Sequence, residues 1–298
     1  MIVYLNGSYV PQQDARVSID DRGFLFADGV YEVARIYDGH IFMLDAHLER
    51  LRRNLGEVRI QNELVDGIPA VAQRLLAEND LHTGDGTLYI QVTRGAAPRA
   101  HAFPAAGTQP TALIATKPFK NHPAAYWEQG VSALTVPDTR WTRCDIKSIS
   151  LLPNVLANQQ AKEAGAFEAL FVRDEAVIEG SHSNLFGVLD GELITCAPSG
   201  HILNGITRLL VLEKARGLGL SVREAPIPRA RLHNIEELFL SGTTTEVMPI
   251  VRVDGQAIAN GQPGPITRRL RDLYREWVAE DRAAVASSHG ADLKLRAS

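Results

Sequence analysis

Apolar residues recur along this chain with two periods, one helical and one extended. Leu44, Leu48, Leu51 and Leu55 follow a 4-3-4 spacing, as do Ile266, Leu270, Leu273 and Trp277, so each set lies on one helix face. Pro265 suits the first turn of the latter helix. Leu64, Ile68, Val71 and Leu75 repeat the period, with Pro69 bending or delaying that helix. Two more helices are predicted near 154–164, closed by Gly165, and near 207–216, closed by Gly217. Residues 87–93 and 112–116 read as strands, and 28–37 alternates like one. There Tyr31, Val33, Arg35 and Tyr37 share a face, while Val30, Ala34 and Ile36 surround Glu32 on the other.

Asn6-Gly7, Asp38-Gly39, Asp190-Gly191 and Asp254-Gly255 each separate short apolar runs and tolerate the positive φ angles of a type I′ hairpin turn. Pro118, Pro123 and Gly130 punctuate a stretch between two regions. The organisation expected is a small N-terminal α/β domain over 1–120, a linker over 121–130 and a larger, sheet-richer domain over 131–282. The small and polar residues 283–298 are expected to form a frayed tail.

Composition narrows the chemistry. In 298 residues, 31 Lys plus Arg against 35 Asp plus Glu give a net charge of −4, which argues against a broad nucleic-acid footprint. Two cysteines without metal-ligand spacing suit a reducing cytosol. No membrane helix or signal peptide is evident, so a cytoplasmic location is expected. A P-loop, an HExxH pair and a GxSxG elbow are all missing. Gly217-Leu218-Gly219 ends a helix and lacks a third glycine, so it is no dinucleotide fingerprint. No metal site is expected. Only six lysines occur, so lysine chemistry has few candidates.

Lys147 lies between Ile146 and Ile149, where partial desolvation favours a free amine able to attack a carbonyl; a strand-edge lysine paired with Asp145 is the ordinary alternative. Glu179 opens Glu-Gly-Ser-His-Ser-Asn after an apolar run, suited to a polar ligand or to a simple turn. Leu203-Asn204-Gly205-Ile206-Thr207-Arg208 precedes a helix, whose free N–H groups could hold a phosphate or be capped by Asn204 or Thr207. The face carrying Tyr31 and Arg35 suits a pocket wall, and the Gly/Pro loop with Arg94, Arg99 and His101 suits a carboxylate.

DRGFLFADGVYE, HLERL with Arg50, VTRGAAPRAH, RCDIKS, EGSHSN, GITR and SGTTTE stand in this order over about residues 1–280. Together they resemble the pyridoxal-phosphate enzymes of fold type IV, and among these the D-amino-acid transaminases. RCDIKS and the Arg-Ala-His loop favour that branch over the branched-chain aminotransferases. The resemblance implies two α/β domains, the larger built on a barrel-like sheet, and a homodimer. It assigns Lys147 as the Schiff-base lysine and proton shuttle, and Glu179 as the partner of the cofactor's pyridine nitrogen. Arg50, Ile206, Thr207 and Thr243 become the phosphate cup, with Ser181 and Ser183 as further cofactor contacts. Tyr31, Arg99 and His101 become the substrate-carboxylate trap, the last two from the partner subunit; Val33, Arg35, Tyr89, Leu203 and Thr243 line the remainder. His182 departs from the all-serine run of that branch. The reaction implied is ping-pong transfer between D-amino acids and 2-oxo acids. An (R)-selective amine transaminase, an aminodeoxychorismate lyase and a non-enzymatic cofactor carrier are the alternatives.

Overall fold

A computed structural model describes the backbone of residues 1–295 and the side chains of 1–284. Contacts divide the chain into two compact units: Met1–Asn121 with Ile146–Ser150 and Asp281–Ser298, and His122–Asp145 with Leu151–Glu280.

The first unit carries β1 (Ile2–Leu5), β2 (Ser8–Pro11), α1 (Arg22–Phe26), β3 (Gly29–Tyr37), β4 (His40–Ile41), α2 (Leu44–Glu57), α3 (Ile68–Glu78), β5 (Gly86–Thr93) and β6 (Thr111–Pro118). Its six strands form one antiparallel sheet in the order β2-β1-β6-β5-β3-β4. Glu32 sits opposite Ile90 and Ala34 opposite Leu88, so the apolar face is continuous across β3 and β5. On it pack Leu48, Leu51 and Leu55 from α2, as their period predicts, and Ile68, Ala72 and Leu75 from α3, where Val71 is only partly buried and Leu64 lies in the preceding 3-10 segment. Each such fully buried Leu or Ile contributes roughly 1.5–3 kcal/mol. Pro69 delays α3 without bending it, sitting in its first turn after a short 3-10 segment.

Ile146–Ser150 belongs to this unit, although the sequence pattern places 131–282 in one continuous domain. The reason is local: Ile146 is buried in the first unit's core, and Ser148 bridges to Val30 at the start of β3.

The second unit contains α4 (Ala124–Gln129), β7 (Val131–Pro137), α5 (Leu152–Glu163), β8 (Glu168–Arg173), β9 (Ala176–Gly180), β10 (Asn184–Leu189), β11 (Glu192–Thr195), α6 (Ile206–Gly217), β12 (Val222–Glu224), β13 (Ile227–Pro228), β14 (Glu237–Gly242), β15 (Glu246–Val253) and β16 (Gln256–Ala257). Strands β10-β14-β15-β7-β8-β9 follow one another, and a β9–β10 pairing at Glu179 and Asn184 returns the path to its start, closing a six-stranded barrel. Leu170, Val177, Leu185, Leu240 and Met248 belong to the buried core of this unit. The last helix, α7, runs over Pro265–Leu295.

All four predicted hairpin dipeptides have positive φ at both residues, as type I′ turns require. Two local expectations differ. The stretch read as a linker folds into α4, because Trp127 is buried there. The stretch read as a frayed tail continues α7 as far as Leu295, and 296–298 lie outside the described residues. Gly165 closes α5 in the left-handed region, but α6 is ended by Gly219, whose φ of 74° receives the turn instead of Gly217.

Candidate active site

In the first unit Lys147 is held by its backbone. Its carbonyl accepts from Tyr31 N at 3.0 Å, and Ile149 N donates to Gly29 O at 3.1 Å, fastening the segment along β3. Lys147 Nζ lies 4.4 Å from the centroid of the Tyr31 ring and pairs with no carboxylate among the described residues, Asp145 instead binding Arg143. Tyr89 stands across from Val33 on β5, its ring 6.0 Å from that of Tyr31. Burial, with a smaller contribution from Tyr31, pushes the Tyr89 phenol up to about 12. Tyr31 is therefore a neighbour of both Lys147 and Tyr89.

Behind them, on the apolar face, Glu32 accepts from Arg50 Nε at 2.7 Å and Arg50 Nη2 at 2.9 Å. His47 Nδ1 lies 2.9 Å from the same carboxylate, His47 and Arg50 being three residues apart on one face of α2. Burial opposes ionisation of Glu32, but Arg50 and His47 outweigh it and hold the carboxyl down at about 2. Burial also lowers His47, more than Glu32 raises it. A neutral His47 then donates Nδ1–H to the carboxylate. The periodicity sets Glu32 alone among apolar neighbours, a signal that such a carboxylate needs a partner.

Arg35, expected to line the substrate pocket, has its guanidinium engaged within the first unit. It is buried, donating to Gly86 O at 3.0 Å, Asp85 Oδ2 at 3.2 Å and Asn121 Oδ1 at 2.5 Å, with its guanidinium 3.8 Å from the Phe119 ring centroid. Alternation located its face correctly, but those partners lie fifty or more positions along the chain. Arg99 and His101 are both exposed and both lie against Phe26, at 5.1 Å and 5.6 Å from its ring centroid. No contact joins them to Tyr31 or Lys147 among the described residues of this unit.

In the second unit Glu179 is buried at the barrel closure. It accepts from Arg140 Nη1 at 2.5 Å, Asn184 Nδ2 at 3.2 Å and Leu203 N at 2.9 Å. Arg140 lies 4.0 Å from the Phe171 ring centroid and also binds Asp138, which Arg173 grips from its other side. Burial would lower the Arg140 guanidinium, but Glu179 and Asp138 raise it above its ordinary value. Arg140 was not anticipated, and Asn184 stood in the marked motif without a role of its own; both partners of Glu179 appear only in the folded chain.

Asn184 Nδ2 also donates to Leu203 O at 2.7 Å, linking Glu179 to the approach to α6. A Cβ on Gly205 would collide with the Asn184 amide, so this close approach requires glycine. Helix α6 has no side-chain cap, which leaves the N–H groups of Ile206 and Thr207 available to an anion. Thr243 lies in the β14–β15 turn, near Ser241 at the end of β14 and Thr245, whose buried hydroxyls have no hydrogen-bond partner among the described residues. Ser183 Oγ donates to the buried Glu168 at 2.8 Å and Ser181 Oγ reaches the same oxygen at 3.5 Å, so Glu168 is a further group the motifs did not reveal. No helix among the described residues is long and apolar enough to cross a membrane.

The first unit thus presents an amine near a tyrosine ring, and the second a buried carboxylate held by Arg140, Asn184 and Leu203 N together with a helix start that has no side-chain cap. Residues 29–253 match the family of class IV amino-transferases, and the chain belongs to that family. It is 39% identical over 277 residues to a D-alanine aminotransferase of Staphylococcus aureus (strain N315), covering 93% of this chain and 97% of that one. Among solved structures, a branched-chain amino acid aminotransferase of Escherichia coli superposes with a TM-score of 0.84 and 27% identity, over 92% of this chain and 93% of that one. Another branched-chain amino acid aminotransferase, solved with pyridoxamine 5'-phosphate, gives a TM-score of 0.81 and 27% identity over the same shares. A 4-amino-4-deoxychorismate lyase from Pseudomonas aeruginosa gives a TM-score of 0.79 and 28% identity, over 92% and 98%.

Proposed function

We propose that this chain is a pyridoxal-phosphate-dependent transaminase that passes the amino group of a D-amino acid to a 2-oxo acid, with 2-oxoglutarate the expected acceptor. The observation that carries this is the position of Lys147, its Nζ 4.4 Å from the centroid of the Tyr31 ring and without a carboxylate partner among the described residues. Identity of 39% to a D-alanine aminotransferase supports the substrate class.

The residues present fit the cofactor. Ile206 and Thr207 offer uncapped N–H groups to its phosphate, with Thr243 and Arg50 as further members of the cup. Glu179 is kept in one orientation by three donors, as a partner for a pyridine N–H must be. Bound there, the cofactor supplies a sink for the electrons of the substrate's Cα–H bond. Lys147 would hold it and carry the Cα proton. Tyr31, with Arg99 and His101 from a partner subunit, would fix the substrate carboxylate; the exposure of Arg99 and His101 suits that. Val33 and Tyr89 would line the side-chain pocket. Stereochoice then rests on which face of Cα the held carboxylate turns toward Lys147.

The test is 2-oxoglutarate with D-alanine and L-alanine in parallel, plus (R)-1-phenylethylamine, following pyruvate and acetophenone. D-alanine should turn over fastest, and faster turnover of L-alanine would overturn the assignment. Pyruvate released without any amino acceptor would favour the lyase reading, which rests on the likeness to the Pseudomonas aeruginosa enzyme. Lys147→Ala in cofactor-loaded protein should abolish turnover.

A further inference from the structure

The loop bearing Arg99 and His101 is exposed, yet its backbone is fastened from beneath by one buried side chain. Arg22, the first residue of α1, donates Nη1 to Ala100 O at 2.6 Å and to Ala102 O at 3.3 Å, and Nη2 to His101 O at 3.4 Å. Its Nε donates to Asp28 Oδ2 at 2.8 Å. Asp28 is shared: Arg94 binds it through Nε at 2.7 Å and Nη2 at 2.9 Å, while reaching Val58 O at 2.7 Å and Arg59 O at 3.0 Å at the end of α2. Burial would raise the Asp28 carboxyl, but Arg94 and Arg22 outweigh it and hold it below its ordinary value. Phe26, at the other end of α1, presents the ring against which Arg99 and His101 rest.

The remaining contacts of α1 make it a rigid base. Asp21 caps the helix through Gly23 N at 2.8 Å and accepts from Thr93 Oγ1 at 3.0 Å, and Arg22 N donates to Gly95 O at 2.9 Å. A Cβ at Gly23 would strike the Thr93 side chain, so α1 seats on β5 only with glycine there. The Asp-Arg-Gly run and Asp28 thus have a joint purpose that lies outside the cofactor-binding groups.

We propose that Arg22 is the positioning residue for substrate-carboxylate capture: by gripping the carbonyls of 100–102 while anchored on Asp28, it sets where Arg99 and His101 stand. The inference rests on the reading of Arg99 and His101 as the carboxylate trap. A guanidinium is required because its planar fork serves Asp28 and the loop carbonyls together, which a lysine ammonium cannot. Charge-assisted bonds of this kind are the strong ones, and small displacements of a binding group have large kinetic consequences.

The test uses the cofactor-loaded enzyme with Arg22→Met, Arg22→Lys, Arg99→Ala and the Arg22→Met/Arg99→Ala double variant. Arg22→Met should raise KM for D-alanine and for 2-oxoglutarate about tenfold or more, with kcat changed far less. The visible absorbance of the bound cofactor should stay as in the unmodified enzyme. Amide hydrogen exchange should quicken across 99–103 and not across β5 or β6. On the Arg99→Ala background the Arg22→Met change should raise KM by less than it does alone, because of the two groups it positions only His101 is left. Should Arg22→Met fail to fold, Arg22→Lys carries the test, with the same direction expected. Unmoved KM values, a multiplicative double variant, or unchanged exchange across 99–103 would each overturn the proposal. Failure of the functional reading shows elsewhere, as absent D-alanine turnover in the unmodified enzyme or an Arg99→Ala variant with unchanged KM, and the role given to Arg22 would fall with it.

Discussion

Glu32 and Arg50 meet through two parallel hydrogen bonds of 2.7 Å and 2.9 Å, on the face of β3 that α2 covers. The pair ties the buried strand β3 to helix α2. Glu32 is held at about 2 against an ordinary 4.5, and a depressed carboxyl stabilises the fold above its unfolded value. Its contribution, on the order of 3 kcal/mol, should be complete above about pH 4.5 and vanish as pH falls through about 2. Acid titration of unfolding free energy for Glu32→Gln should be flatter over that window than for the unmodified protein. A parallel pair of curves would remove Glu32 from the acid response.

Arg140 carries a second test. Arg140→Met leaves Glu179 and Asp138 buried without their shared cation, and breaking such a pair costs about 3–5 kcal/mol. The melting temperature should drop, and cofactor retention on gel filtration should drop with it, since Glu179 loses the donor that orients it. Retention unchanged in a destabilised variant would mean that Asn184 and Leu203 N suffice.

Arg35 is expected from the family resemblance to line the substrate pocket, and its burial with Gly86, Asp85 and Asn121 as partners argues otherwise. Arg35→Met should lower stability by about 1–3 kcal/mol through the lost bonds to Gly86 O, Asp85 and Asn121, while leaving the ratio of D-alanine to D-glutamate kcat/KM unchanged. A reversed preference in a protein with an unchanged melting temperature would restore Arg35 to the pocket.

Tyr89 stays neutral to about pH 12, so it cannot produce an alkaline limb in the pH–rate profile at lower pH. The profile of Tyr89→Phe should keep the unmodified shape, although KM can change where the ring lines the pocket. Loss of an alkaline limb in Tyr89→Phe would contradict the burial that holds the phenol up.

Much of the local architecture was legible because its causes are local. A type I′ turn needs two adjacent residues that tolerate positive φ, and Asn6-Gly7 or Asp254-Gly255 announce it without help from the rest of the chain. The leucines of α2 announce a buried face in the same way, through a period of 3.6 residues. Motif order named the family, and the segments that carry its expected roles could be marked from sequence.

Only the tertiary structure decided which of those segments cooperate. Lys147 joins the first unit although the residues flanking 146–150 belong to the second, because Ile146 finds its core and the backbone finds β3. Arg35, chosen for its face, proved to be a structural clamp, while Glu32, His47, Arg140, Glu168 and Arg22 emerged as the groups that hold others. These pairings span tens of residues: Arg22 meets the loop 78 positions away, and Arg140 meets Glu179 after 39. Periodicity reports which face a side chain takes, since neighbours in sequence set it. A buried charge is satisfied by whatever the closing sheet brings opposite, and that is a property of the fold.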